Sequence, residues 1–176
     1  VDDEGFYRFD ARVYPEGRTE LDRLSDIGTQ MVIVASDLIV SSYKNRLVSL
    51  AADSGRLLWF KDISSAGGVV VDRTRLAVSD KEDNLWMLDR RNGSTTWKVD
   101  RMSNRGLTRP AFYGNYVVVG DMEGYLHWLD SDIGAFVARV RADKAGFAAA
   151  PFSVGTTLYV LTKKGELIAY RAGAAI

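Results

Sequence analysis

The side chains that could carry out chemistry are few. The chain has no cysteine and one histidine, His127, so it can form no disulfide, thiolate metal site or nucleophilic thiol. One histidine cannot by itself anchor a transition-metal site. The sequence also lacks a Gly-x-Ser-x-Gly turn that would present a serine nucleophile. We therefore predict that His127 is a packed or surface imidazole and that the chain holds no hydrolytic triad.

Two acidic segments could bind a cation, and one glycine pair could bind phosphate. Asp80-Lys-Glu-Asp83 and Asp121-Met-Glu123 bring oxygen atoms close together, but they lack the longer calcium-ligand series that ends in a bidentate glutamate. Gly67-Gly68 is not followed by the residues of a phosphate-binding loop. All three segments are predicted to be turns, and no metal or cofactor is expected.

The elements that position these residues repeat along the chain. Similar segments begin at Asn45, Asn84, Gly124 and Gly165, which are 39, 40 and 41 residues apart. Each segment follows a polar turn and a short apolar strand, and these strands are Leu38-Ile-Val40, Leu76-Ala-Val78, Val117-Val-Val119 and Leu158-Tyr-Val160. A period near 40 residues with about four short antiparallel strands is typical of a propeller blade.

We therefore predict an all-β chain, a β-propeller with four-stranded antiparallel blades, of which about four are present as part of a larger ring. The blades are expected near residues 29–66, 67–107, 108–148 and 149–176. Residues 1–28 are expected to form a partial blade and a connecting loop.

Two tryptophans, Trp59 and Trp97, occupy one fixed place in the repeat. They could form a platform on which a ligand stacks, but a bulky aromatic side chain at a repeated position favours a wedge between adjacent blades. The third copy has Ala138 at this place. The packing there is expected to differ, with Phe136 filling the space.

The composition is that of an ordinary globular chain, with 47% hydrophobic and 26% charged residues in 176. Basic and acidic residues number 23 each, so the formal net charge is zero. This balance provides no general attraction to nucleic acid or anionic lipid, and a nucleic-acid partner is not expected. The longest apolar stretches are far shorter than the roughly 20 residues of a membrane helix.

One blade segment, Ala51-Ala-Asp-Ser-Gly-Arg-Leu-Leu-Trp59, resembles the motif of the pyrroloquinoline-quinone-type propeller superfamily, which includes quinoprotein dehydrogenases and non-enzymatic scaffolds. Narrower matches are Thr19-Glu-Leu-Asp-Arg-Leu-Ser-Asp26, Gly120-Asp-Met-Glu-Gly-Tyr-Leu-His-Trp-Leu129 and Gly165-Glu-Leu-Ile-Ala-Tyr170. With these segments, residues 18–171 resemble the C-terminal part of the BamB family of outer-membrane assembly lipoproteins.

That resemblance implies an eight-bladed ring at the periplasmic face of the outer membrane, tethered by a lipidated N-terminal cysteine and acting as a non-catalytic scaffold in β-barrel assembly. The loop with the Asp-Arg-Leu-Ser-Asp run would contact a POTRA domain of the barrel-inserting subunit BamA. The implied partner-site residues are Asp22, Arg23, Leu24 and Asp26. Gly28 stands where the family can carry a second acidic residue. Nascent outer-membrane proteins are a further expected partner, through pairing with exposed strand edges.

The alternative function is that of a pyrroloquinoline-quinone-dependent quinoprotein dehydrogenase fragment. Such an enzyme holds its cofactor and a calcium ion on the propeller axis with converging Glu, Asn and Asp side chains, often beside a vicinal disulfide. This chain has no cysteine, and no acidic cluster falls on the predicted axial strands. The sequence therefore favours the scaffold over the enzyme.

Overall fold

The computed structural model describes residues 30–41 and 46–171. The described residues form fifteen strands and no helix, so none of them belongs to a helix that could cross a membrane. The strands are β1 Gln30–Val34, β2 Asp37–Ser41, β3 Leu47–Ala51, β4 Leu57–Lys61, β5 Ser65–Val71, β6 Arg75–Asp80, β7 Leu85–Asp89, β8 Thr95–Val99, β9 Ala111–Tyr113, β10 Tyr116–Gly120, β11 Tyr125–Asp130, β12 Phe136–Arg141, β13 Phe152–Val154, β14 Thr157–Leu161 and β15 Leu167–Tyr170.

The strands form four separate antiparallel sheets, each built from neighbours in sequence. Blade 1 contains β1–β4, blade 2 contains β5–β8, blade 3 contains β9–β12, and blade 4 contains the three described strands β13–β15. The first strands of adjacent blades contact each other, as β1 does with β5 and β9 with β13. These strands therefore lie innermost, and β4, β8 and β12 lie outermost. The prediction of an all-β propeller with four-stranded blades is confirmed.

Three hydrophobic cores lie between the blades, one for each pair of neighbours. Strand β6 shows how one strand serves two cores, because successive side chains point to opposite faces of a sheet. Leu76 and Val78 pack in the core shared with blade 1, whereas Ala77 between them packs in the core shared with blade 3. The second strand of each blade is apolar at successive positions for this reason.

Gly67 and Gly68 lie within β5 and not in a turn, so the turn predicted for them is wrong. The pairing of β5 with β6 shifts register between Ser65 and Gly68, which marks a bulge. A Cβ atom on Gly67 would lie 2.8 Å from the carbonyl oxygens of Leu107 and Thr108. Glycine is needed here because the segment leading into blade 3 runs directly against the bulged strand.

The two tryptophans of the repeat are wedges between blades, as predicted. Trp59 of blade 1 is 8% exposed, and its Nε1 donates a hydrogen bond to the carbonyl oxygen of Arg90 in blade 2, at 2.7 Å. Its ring covers Gly93, where a Cβ atom would lie 2.7 Å from the indole. Trp97 repeats the arrangement one blade later and donates to the carbonyl oxygen of Ser131 at 2.9 Å. Each wedge thus fastens one blade to the turn of the next.

Phe136 does not fill the place of the missing third wedge, so that expectation is wrong. Blade 3 has a bulge between Trp128 and Leu129, which pairs Ala138 with Trp128 but Phe136 with Leu129. Leu129 packs in the core shared with blade 2, and the Phe136 ring lies edge-on to His127 of its own blade, with 6.2 Å between ring centroids. Phe136 therefore points toward blade 2, whereas a wedge must point toward blade 4.

Candidate functional site

The predicted partner-site residues Asp22, Arg23, Leu24 and Asp26 lie outside the described residues. Their role in docking therefore stays a prediction from the family resemblance. Among the described residues, the candidates for metal or acid–base chemistry are the acidic turns of blades 2 and 3 and His127.

The acidic turn of blade 2 is organised by one carboxylate that accepts four hydrogen bonds. One oxygen of Asp80 accepts from the backbone amides of Glu82 and Asn84, at 3.0 and 2.8 Å. The other accepts from the Asn84 side chain at 2.8 Å and from Trp86 Nε1 at 2.7 Å. With its oxygens used in this way, the carboxylate closes the hairpin between β6 and β7. The predicted turn is confirmed.

Blade 3 repeats this arrangement with His127 and Arg105 as the side-chain partners. Asp121 accepts from the backbone amides of Glu123 and Tyr125, at 3.0 and 2.9 Å. Its second oxygen lies 2.8 Å from His127 Nε2 and 3.0 Å from Arg105 Nη1. An ionised carboxylate only accepts hydrogen bonds, so Nε2 is the nitrogen of His127 that carries a proton. Of the two alternatives predicted for His127, a packed or a surface imidazole, the structure has the packed one.

These partners of the two aspartates were not predicted from the sequence. The pattern was present, because Asp80 precedes Trp86 by six residues and Asp121 precedes His127 by six residues, one blade apart. Arg105 had no comparable pattern, since it lies 16 residues before Asp121 in the segment that connects two blades.

The surroundings of Asp121 hold the pKa of its carboxyl below the ordinary value of 3.8. Burial acts to raise this pKa, but hydrogen bonds from His127, from the Tyr125 amide and from Arg105 together outweigh the burial. The fold therefore favours the ionised carboxylate. Its role is to stabilise the turn, because a proton donor for catalysis would need the opposite shift.

This lowered pKa predicts a loss of stability in acid. A carboxyl whose pKa is lower in the folded than in the unfolded chain stabilises the fold above its unfolded pKa, and that contribution is lost as the pH falls through the folded pKa. Between about pH 5 and pH 3, the urea midpoint of the wild type should therefore fall more steeply than that of Asp121→Asn. All other acidic residues are the same in both proteins. If the two urea midpoints fell in parallel with pH, the lowered pKa of Asp121 would be contradicted.

Residues 30–41 and 46–171 contain no cluster of three or more His, Cys, Asp or Glu side chains that could hold a metal ion. A groove of about 500 Å³ lies between the rims of blades 2 and 3, lined by residues 98–101 and 133–136. Asp100 is the one carboxylate in that lining. The groove therefore lacks the paired acid and base of a hydrolytic or transfer site.

Both end blades present an apolar face to solvent. On blade 1 the exposed side chains Met31, Ile33, Leu57 and Phe60 belong to the face opposite the core shared with blade 2. On blade 4, Phe152 and Leu167 belong to the face opposite the core shared with blade 3, and the rings of Phe152 and Tyr159 stack there, with centroids 5.4 Å apart. The corresponding faces inside the stack are covered by neighbouring blades.

The blades, their wedges and their bulged strands place the chain in the class of β-propeller proteins. The β-propeller domain of Cps50 (Swd1) from Myceliophteria thermophila superposes with a TM-score of 0.75 at 16% identity, over 95% of this chain and 59% of that one. BamB from Moraxella catarrhalis superposes with a TM-score of 0.80 at 24% identity, over 90% of this chain and 47% of that one. Likenesses at this identity show the fold alone.

Sequence comparison defines the family. The family model described as outer membrane protein assembly factor BamB matches residues 4–99, which is more than half of the chain. The chain therefore belongs to the BamB family. Curated relatives of this name include those of Xanthomonas campestris pv. campestris, 40% identical over 89% of this chain, and of Escherichia coli (strain K12), 36% identical over 86%. The chain spans 39% and 38% of the length of these two relatives.

Proposed function

We propose that the chain is part of a non-catalytic scaffold that assists the delivery or insertion of outer-membrane proteins. The observation that carries this proposal is the family match over residues 4–99. The relatives are named as outer membrane protein assembly factors, which describes a role in assembly and not a reaction. A propeller suits this role, because its rigid blades hold loops in fixed positions for binding.

The proposed docking site is the loop at 18–28, with Asp22, Arg23, Leu24 and Asp26 contacting a POTRA domain of BamA. Two carboxylates, one guanidinium and one apolar side chain within five positions can combine oriented ion pairs with a small apolar contact. Charges at such a surface contribute mainly to the rate of association and to the choice of partner. The support for this site is its place inside the segment that matches the family model.

In the proposed setting, residues 29–176 are blades of an eight-bladed ring, and residues 1–28 are a partial blade with the docking loop. The exposed apolar faces of blades 1 and 4 would then pack against the remaining blades. The ring would act at the periplasmic face of the outer membrane, held there by a lipid anchor. Nascent outer-membrane strands would be its second partner, through pairing with strand edges.

The experiment that tests the docking site is a titration of the purified protein against isolated POTRA domains of BamA. Asp26→Arg should weaken binding by about tenfold or more, because a favourable charge contact becomes a repulsive one. Calorimetry or anisotropy gives the dissociation constant.

A matched control is Asp53→Arg, which makes the same charge change at an exposed turn of blade 1. It should leave the dissociation constant within about twofold of the wild type, since surface changes away from an interface cost little. Equal weakening by both substitutions would indicate a general charge effect and remove the loop as the docking site. Failure of the wild type to bind any POTRA domain would overturn the proposed partner.

A further inference from the structure

The outermost strand of blade 3 differs from those of blades 1 and 2. All six residues of β12 are exposed, from Phe136 to Arg141. Strands β4 and β8 each carry a wedge, Trp59 and Trp97, that lies over the following blade. In β12 this place is taken by Ala138, so no large side chain covers the neighbouring surface from this strand.

One edge of β12 has no strand beside it in the part of the chain that the structure describes. The strand pairs with β11 on one side and is the end of its sheet on the other. An outer edge presents backbone N–H and C=O groups that can pair with another extended segment. The bulge of β12 lies at its start, and from Ala138 to Arg141 the register with β11 is continuous, so this stretch is regular enough to extend the sheet.

Two arginines mark the same stretch with positive charge. The guanidinium groups of Arg139 and Arg141 both lie over the ring of Tyr125, with 4.7 and 4.9 Å to its centroid. The Arg141 Nε also donates to the carbonyl oxygen of Glu123 at 3.3 Å. Neither arginine forms a direct salt bridge within the described residues, and the acidic neighbour of Arg141 is Asp143, which interacts with it through space and is itself bonded to Lys164 at 2.8 Å. The tyrosine thus holds two exposed cations on one face of an open strand.

The other outermost strands lack this combination. On β8, Thr95 and Thr96 are exposed, and Lys98 lies over the Trp86 ring as the single cation. Beside β4, the cation over the Phe60 ring is Arg46, and Asp62 neutralises it at 2.9 Å. All three strands end their sheets, but among the described residues β12 is the one of the three that carries two exposed arginines without a direct salt bridge on its open edge.

We propose that β12 binds an extended, acidic segment of a partner protein as an added fifth strand of blade 3. Side chains alternate between the two faces of a sheet, so acidic residues two apart in the added strand would lie beside Arg139 and Arg141. The residues beside Val140 and Ala138 would be apolar, and an aromatic side chain beside Ala138 would supply the bulk that Trp59 and Trp97 provide elsewhere. In the order of the residues that lie beside Arg141, Val140, Arg139 and Ala138, the added strand would therefore be acidic, aliphatic, acidic and aromatic. This site deepens the strand-edge pairing of the proposed function and rests on that part of it, but it does not use residues 18–28, so its failure would leave the proposed docking loop standing.

The test uses a fluorescein-labelled peptide with the central run glutamate, valine, glutamate, tryptophan, titrated with the purified protein and followed by anisotropy. Saturable binding is expected, and a peptide with lysine at both glutamate positions should bind at least about tenfold more weakly, because two favourable cross-strand charge pairs become repulsive. The double substitution Arg139→Glu, Arg141→Glu should cause a similar loss. The matched control is Lys98→Glu, at the equivalent position of β8, which should change affinity by less than about twofold.

Hydrogen exchange of the wild-type protein provides a second measurement that does not depend on how well a variant folds. The peptide should slow amide exchange in residues 136–141 and leave residues 95–99 unchanged, because an added strand pairs with the backbone of β12 alone. Absence of saturable binding, equal affinity for both peptides, or protection of β8 in place of β12 would each overturn the proposal.

Discussion

Replacing Asp121 by alanine should lower the free energy of unfolding by about 3–5 kcal/mol, because several donors lose one shared acceptor and each buried donor left unpaired costs about 1–3 kcal/mol. The Asp121 side chain has no exposed surface and accepts hydrogen bonds from two backbone amides, His127 and Arg105. Its loss leaves the buried imidazole and the turn amides without their acceptor, and buried donors without acceptors are costly. Urea unfolding followed by tryptophan fluorescence measures the change.

The control for this prediction is Glu123→Ala, two residues along the same turn. Glu123 also faces Arg105, at 3.6 Å, but its side chain is 56% exposed. An exposed ion pair contributes about 0–1 kcal/mol, so this variant should remain close to the wild type. If both variants lose the same stability, the buried network of Asp121 is not what holds the turn.

Replacing Trp59 by alanine should cost about 3–5 kcal/mol, since the substitution removes a buried indole and leaves a cavity between blades 1 and 2. Trp59→Phe keeps most of the packing and removes the hydrogen bond to the Arg90 carbonyl, so its cost should be much smaller. In thermal unfolding, Trp59→Phe should melt somewhat below the wild type, and Trp59→Ala should melt at a clearly lower temperature than Trp59→Phe.

Phe60→Ala is the matched control, because it removes a neighbouring aromatic side chain that is 51% exposed. If Phe60→Ala lost as much stability as Trp59→Ala, stability would depend on the number of aromatic side chains on β4 and not on the position of the wedge. The expected result is a clear separation, with Phe60→Ala closer to the wild type.

The architecture was predictable from sequence because its determinants are local. A hairpin needs an apolar strand, a polar turn and a second strand within about fifteen residues, and Leu76-Ala-Val78 with its turn at Asp80 contains all three. The wedges were predictable for a related reason. A tryptophan that returns once per blade occupies equivalent surroundings each time, so Trp59 and Trp97 make the same kind of contact.

The features that sequence analysis missed depend on single-residue shifts or on contacts between distant segments. One bulge in blade 3 turns Phe136 to the opposite face from Ala138, although the two residues are two positions apart. Gly67 is required by the backbone of residues 107 and 108, which no pattern near residue 67 reveals. Arg105 reaches Asp121 only because one segment folds back on the next blade.

Each wedge contacts the blade that follows it in sequence, so the order of synthesis decides when a blade is held. Trp59 needs a carbonyl 31 residues later, and Trp97 needs one 34 residues later. As the chain leaves the ribosome, a blade can complete its own hairpins at once but is fastened only after its successor has emerged. Blades 1 and 2 therefore stay unfastened until their successors emerge, and an interruption of synthesis directly after either of them leaves that blade at the growing end without its wedge contact.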